Sequence, residues 1–154
     1  MPKYVRAVIP MLVFADPASE SEFCKAAFGA VELSRRSDED GGVIHATLGI
    51  GELPVMLHGE TSHLASRAPQ PDGSSPVVIY IYLEDVDGVI ARAIAAGARV
   101  LTPPEDQFWG DRMARIVDRR GTFGMWQAEW RSQRRSGISE VRIGSRVDHD
   151  HAKK

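Results

Sequence analysis

The sequence predicts an α+β protein built from two tandem βαβββ modules. Three observations carry that prediction. Two helix-like segments, DPASESEFCKAAFGAVEL (16–33) and DVDGVIARAIAAGARVL (85–101), share one plan: an Asp at the start, apolar residues at helical spacing, and a stop at Gly-Ala. The two Gly-Ala pairs, Gly29-Ala30 and Gly97-Ala98, stand 68 residues apart, and Met56-Leu57 and Met125-Trp126 stand 69 apart, so the spacing persists to the end of the repeat. Between the halves lies SHLASRAPQPDGSSP, whose Pro, Gly and Ser mark a connecting loop.

Taken in order, VRAVIPMLVF (5–14) reads as the first strand. Asp16 suits a helix N-cap, Pro17 fits the first helical turn, where its missing N–H costs nothing, and Gly29 suits the position just past the helix end. A short extended piece follows, then GVIHATLGI (42–50) and PVMLHG (54–59) as two more strands. The second half repeats this with VVIYIYLE (77–84), the helix opened by Asp85, an extended piece, RMARIVD (112–118) and TFGMWQAE (122–129). QFWGDR, which follows LTPPED, reads as a loop entering the seventh strand. Residues 1–130 are therefore read as one domain, with modules at about 4–60 and 76–130, followed by a polar and flexible tail over 131–154.

Bulk properties exclude several function classes. Apolar residues make up 43% and charged residues 26% of 154, ordinary values for a globular domain. No apolar run approaches the ~18 residues of a membrane span, and no small-residue cleavage site follows the apolar N-terminal stretch, so neither a membrane partner nor a secretory leader is expected. The one cysteine, Cys24, cannot form an internal disulfide, fits a reducing cytoplasm and reads as helix packing. Net charge is −2, yet residues from Arg131 onward hold seven Lys/Arg against three Asp/Glu, leaving −6 on residues 1–130. That acidic body argues against nucleic acid as a partner.

Strand alternation sorts the candidate site residues. Val77, Ile79, Ile81 and Leu83 form an aliphatic row for the core, which leaves Val78, Tyr80 and Tyr82 on the opposite face. Tyr80 and Tyr82 offer rings to bury and hydroxyls to pair, which suits a ligand cavity. In 43–50 the row Ile44, Ala46, Leu48, Ile50 is again core-like, and His45 and Thr47 are expected to share the polar face with the tyrosines. Met56 with His58, and Met125 with Phe123 and Gln127, share faces of the fourth and eighth strands, where a thioether adapts to an irregular cavity.

A duplicated βαβββ unit carrying VIPMLVFADPASESEFCKAAFGAVEL, VIHATLGIGELPVMLH and PPEDQFWGDRMARIVDRRG resembles the vicinal-oxygen-chelate superfamily of glyoxalases, bleomycin-resistance proteins and extradiol dioxygenases, in particular its PhnB-like branch. The resemblance covers roughly residues 4–130 and is most specific at PPEDQFWGDR. It implies two modules whose mixed sheets curl into a ligand-holding cup, and a homodimer. Enzymes of the superfamily typically hold a divalent ion with His, Glu or Gln from the first and last strands of each module. Those positions carry over to Ile9, Met56 or Leu57, Val78, and Met125 or Trp126. Hydrocarbon side chains cannot donate a lone pair to such a cation. Neither a metal nor another cofactor is therefore expected, and a register slip bringing in His58 or Gln127 still leaves two aliphatic positions.

The loop QFWGDR completes the candidate site. Gly110 lets the backbone turn, Phe108 and Trp109 are placed to lean over the cup mouth or the dimer seam, and Arg112 is placed to grip a carboxylate or phosphate. Three readings compete. The first is a metal-free binding protein for a small aromatic or amphipathic molecule, held by Thr47, Met56, Tyr80, Tyr82, Phe108, Trp109, Arg112 and Met125. The aromatic residues and the acidic body suit a cationic one. The second is a lyase or isomerase using His45 as base, with or without an unusual metal site. The third is a dimerisation or regulatory module.

Overall fold

The structure, a computed structural model, describes residues 7–69 and 77–118, and the backbone path of 125–131. The first module runs β1 (Met11–Phe14), α1 (Pro17–Phe28), β2 (Val31–Ser37), β3 (Val43–Ile50) and β4 (Leu53–Gly59), then a 3-10 turn at Ser62–Leu64. The second runs β5 (Val78–Tyr82), α2 (Val86–Ala95), β6 (Arg99–Asp106), β7 (Asp111–Val117) and β8 (Met125–Arg131). This is the predicted βαβββ plan, written twice.

The helix ends form as their residues require. Asp16 Oδ1 accepts from Ser19 N at 3.0 Å, and Asp85 Oδ1 accepts from Gly88 N at 2.8 Å, each satisfying an orphan N–H of a first turn. Gly29 closes α1 at φ 68°, a left-handed conformation that glycine adopts without a Cβ clash. Its N–H bonds the Lys25 carbonyl and that of Ala30 bonds Cys24, so two of the last carbonyls are paired.

Each module folds into a curled mixed sheet of four strands, in the orders β1-β4-β3-β2 and β5-β8-β7-β6. The pairs β1/β4 and β5/β8 are parallel and the rest antiparallel. β1 begins at Met11, later than the predicted run from residue 5. Pro10 has no N–H to give a ladder, and its carbonyl accepts from Met56 N. β6 runs on through Thr102-Pro103-Pro104-Glu105, longer than the short extended piece expected after the helix. It is an edge strand with register shifts at that point, and only there is a strand proline tolerated.

Pairing also corrects the repeat. Met11 lies opposite Met56, and Tyr80, 69 residues after Met11, lies opposite Gln127, 71 residues after Met56. His45 and Met113, opposite His58 and Glu129, are 68 apart. The offset thus changes from strand to strand: paired residues stand 13 apart at His45 and His58 but 16 apart at Met113 and Glu129, so the path from β7 to β8 is three residues longer between matched positions. An offset of 71 in place of 69 is an even shift, so Met125 and Gln127 keep the same register parity.

Both modules feed one core. Phe14, Cys24, Ala27, Ala46, Leu48 and Leu57 of the first cluster with Val86, Ile90, Ala93, Ala114 and Ile116 of the second. α1 and α2 pack on each other, each lies on its own sheet, and among the described residues no strand of one sheet packs on a strand of the other. Arg92 Nε of α2 donates to the Ala27 carbonyl of α1 at 3.4 Å, a polar tie between the modules. Cys24 is fully buried beside Glu20, and both raise its pKa well above that of a free thiol. It is a packing residue, as expected. The second part of the expected eighth strand, Met125–Glu129, is in place, whereas Phe123 and the tail over 132–154 lie outside the described residues.

Candidate functional site

Each sheet buries one face on its helix and leaves the other open. On the first sheet, strand pairing assembles the open face in rows. Ser34, Thr47, Met56 and Met11 stand side by side across β2-β3-β4-β1, and Arg36, His45, His58 and Val13 form the next row. His45 and Thr47 therefore do share a face with Met56, as alternation requires, while Leu57 is fully buried on the helix side. Of the two alternatives for the fourth-strand ligand position, Met56 is the one on the open face.

His45 Nε2 lies 3.3 Å from Thr47 Oγ1, and its ring meets that of His58 edge-on at 5.9 Å. His58 is nearly buried, with Nδ1 against the Gly59 carbonyl. A carbonyl only accepts, so Nδ1 carries the proton and Nε2 is the acceptor when the ring is neutral. Partial burial lowers the His45 pKa below its usual value, and repulsion from His58 and Arg36 lowers it further. His45 is accordingly neutral at neutral pH.

That shift has a sign that can be measured. The unfolded chain takes up the His45 proton at the ordinary value near 6.5, whereas the folded chain takes it up only at a lower pH. Between those two values the unfolded state binds more protons, so native stability falls as pH drops through the window. The urea midpoint is expected to fall between pH 7.5 and 5.5, and to fall less steeply in His45→Gln. Equal slopes would show that His45 titrates alike in both states.

The open face of the second sheet carries Val78, Tyr80 and Tyr82, with Tyr80 50% and Tyr82 63% exposed. Register sets Val78 opposite Met125, Tyr80 opposite Gln127 and Tyr82 opposite Glu129. Here the structure departs from expectation. The tyrosines and His45-Thr47 lie on the open faces of two different sheets, both turned away from the helix pair, so within one chain they do not line a common cavity.

Gln107–Gly110 form a tight connection between β6 and β7. Gly110 takes φ 97°, its N–H bonds the Gln107 carbonyl, and Gln107 N bonds the Asp111 carbonyl at 2.7 Å. Phe108 is 97% exposed, with its ring edge-on to Trp109 at 4.7 Å. Phe108 thus projects from the tip with Trp109 as its ring neighbour. Arg112 corrects a second expectation. Its Nε and Nη2 donate to Asp87 of α2 at 2.6 and 2.9 Å, and Nη1 donates to Asp106 at 2.8 Å. It braces β7 to α2 on the helix side, the face opposite the tyrosines, because Ala114 and Ile116 of the same parity are core. It is not placed to grip a ligand on the open face. Asp111, its neighbour, is buried and takes the other face.

Ile9 precedes β1 and Val78 lies on the tyrosine face, and the hydrocarbon side chain of neither supplies a donor atom. Among the described residues no three His, Cys, Asp or Glu side chains converge closely enough to hold a metal ion. Arg36 is the site residue that sequence reasoning passed over. His58 was legible as the alternation partner of Met56. Arg36 was not, since β2 carries register shifts and only its pairing with β3 sets Arg36 opposite His45.

Comparison with known proteins agrees with this architecture. Residues 8–124 match the family model described as the Glyoxalase/Bleomycin resistance protein/Dioxygenase superfamily. An uncharacterized protein of Mycobacterium bovis is 43% identical over 115 residues, which cover 73% of this chain and 76% of the relative. Among solved structures, TioX from Micromonospora sp. ML1 superposes with a TM-score of 0.65 at 25% identity, covering 82% of this chain and 98% of TioX. A bleomycin-binding protein complexed with bleomycin superposes with a TM-score of 0.58 at 20% identity, covering 83% and 100%. No helix among the described residues is long and apolar enough to cross a membrane.

Proposed function

Because the chain belongs to the glyoxalase/bleomycin resistance protein/dioxygenase superfamily, we propose that it works as a metal-free binding protein that holds a small aromatic or amphipathic molecule in a cup. The observation that carries this reading is the chemistry of the open faces. They present Met11, Met56, Val78, Tyr80 and Tyr82, side chains that suit an apolar or aromatic guest, at and beside the positions where a metal cage would need nitrogen or oxygen. One solved protein of this fold was captured with bleomycin, a precedent at the level of fold alone.

The working unit in this reading is a homodimer. Within one chain the tyrosine face and the His45–Met56 face lie on separate sheets. A two-fold partner brings the tyrosine face of one copy over the histidine face of the other, twice, by symmetry. Phe108 and Trp109, exposed at the hairpin tip, then close the cup mouth or the seam. The ligand set is Thr47, Met56, Tyr80, Tyr82, Phe108, Trp109 and Met125, with Arg112 assigned to bracing. PPEDQFWGDR supports placement in the PhnB-like branch. The lone cysteine and the acidic body support a cytoplasmic protein with no nucleic-acid partner.

A second reading has one specific observation in its favour. A neutral, partly buried His45 beside His58 is in the state a general base requires, which supports a lyase or isomerase. The two readings separate on titration with N-phenyl-1-naphthylamine, which fluoresces only in apolar surroundings. The binding reading expects saturable binding that His45→Ala leaves in place. No saturable binding would contradict it.

A further inference from the structure

We propose that the absence of a side chain at Gly49 leaves a recess in the open face of the first sheet, and that a flat, fused aromatic ring of the ligand lies in it. The inference rests on the cup reading and names the class of molecule that the cup accepts.

A glycine inside a strand weakens it, because it loses more conformational freedom on folding than any other residue and packs nothing. Gly49 lies within β3, opposite Val31 of β2 on one side and Pro54 of β4 on the other. It shares the parity of His45 and Thr47, so the recess opens on the cup side.

Among the described residues, nothing requires glycine there. Unlike Gly29 and Gly110, Gly49 does not take a positive φ. At Gly42 and Gly88 a Cβ would collide with the Asp38 or Asp85 carboxylate, whereas one at Gly49 would meet only Leu33 methyls at 3.7 Å, an ordinary contact. Gly59 is free of both constraints too, but it ends β4 beside Pro17, on the helix side. The use of glycine at position 49 therefore points outside the chain, to something that approaches the backbone closely.

The margins say what fits. Val31 and Leu33 are aliphatic and 62% and 60% exposed. Val31 and Pro54 each stand one strand spacing from Gly49, so the recess spans roughly 10 Å. Its floor is backbone committed to the ladders with β2 and β4, and its walls carry neither charge nor hydrogen-bonding group. A planar ring gains contact over its whole face on such a floor, which a branched group cannot. The next row, Thr47 and Met56, lies about 7 Å along the strands. The ring thus extends toward the thioether, with the ligand's polar end turned to Thr47 and His45. This continuity with the ligand set favours a small molecule in the recess over a second copy of the chain.

Titration of the full-length parent, Gly49→Ala and Gly49→Val with N-phenyl-1-naphthylamine, alongside urea unfolding, tests this. Each added carbon fills the recess, so probe affinity is expected to fall about threefold in Gly49→Ala and about tenfold or more in Gly49→Val. The urea midpoint of Gly49→Ala is expected to rise, since a side chain restores what glycine costs the strand. Affinity and stability thus move in opposite directions. A lower midpoint in Gly49→Ala would show that the fold itself needs the glycine and would overturn the inference. Unchanged affinity in a folded Gly49→Val would also overturn it, while leaving the cup elsewhere on the open faces. Lost affinity accompanied by dissociation in light scattering would assign the recess to a second copy of the chain instead. No binding by the parent would remove the cup reading and this inference with it.

Discussion

Leu57→Ala is expected to lower the unfolding free energy by about 3 kcal/mol, within the range of about 2–5 kcal/mol typical for such truncations in a core. Leu57 is fully buried on β4, opposite Leu12 of β1 and Ala46 of β3, on the face that α1 covers. Truncation removes three buried carbons and leaves a cavity that a sheet pinned on both sides closes only in part. Its neighbour provides the control. Met56 points to the open face, so Met56→Ala is expected to cost less than about 1 kcal/mol. The two variants differ by one position and by a face, and urea unfolding of both measures that difference. Equal losses would mean that β4 is rotated or slipped by one residue, which would exchange every side chain between core and cup.

Tyr80→Ala combined with Tyr82→Ala is expected to weaken N-phenyl-1-naphthylamine binding by about 10- to 100-fold, since each aromatic pair contributes about 0.5–1.5 kcal/mol beyond the area it buries. Both rings are at least half exposed in the single chain, so the substitutions leave the core untouched. The double variant should melt close to the parent. Trp109→Ala distinguishes a neighbouring role. If the hairpin tip closes the dimer seam, light scattering will show the variant dissociating at concentrations where the tyrosine variant stays assembled. Full affinity in the tyrosine variant would move the ligand off the second sheet.

Much of this was legible in the sequence because the fold is written in local rules. Asp caps, Gly stops and two-residue alternation fixed both helices, the core-facing rows Ala46-Leu48 and Ile79-Ile81, and the exposure of Tyr80 and Tyr82. Pairing information was missing. Nothing in RMARIVD shows that Arg112 reaches Asp87 on α2, because that ion pair spans 25 positions and depends on where the helix crosses the sheet. Likewise Arg36 joins His45 only through the β2–β3 register, and Gln127 becomes the counterpart of Met56 only through a longer β7–β8 connection. The separation of the tyrosine and histidine faces follows from α1 packing on α2, a contact that alternation within strands cannot reveal.

The central claim is that the cup works without a metal ion. Thermal unfolding of the full chain carrying His149→Ala and His151→Ala, with and without Zn²⁺, Ni²⁺, Mn²⁺ and Fe²⁺, tests it most directly, because those substitutions remove the tail imidazoles as adventitious ligands. A specific site saturated at ~100 times its dissociation constant would add roughly 2.7 kcal/mol and raise the melting temperature. The account predicts no shift with any of the four ions. A clear rise selective for one of them would contradict it, and would make His45 and His58 the first residues to replace in search of the ligands.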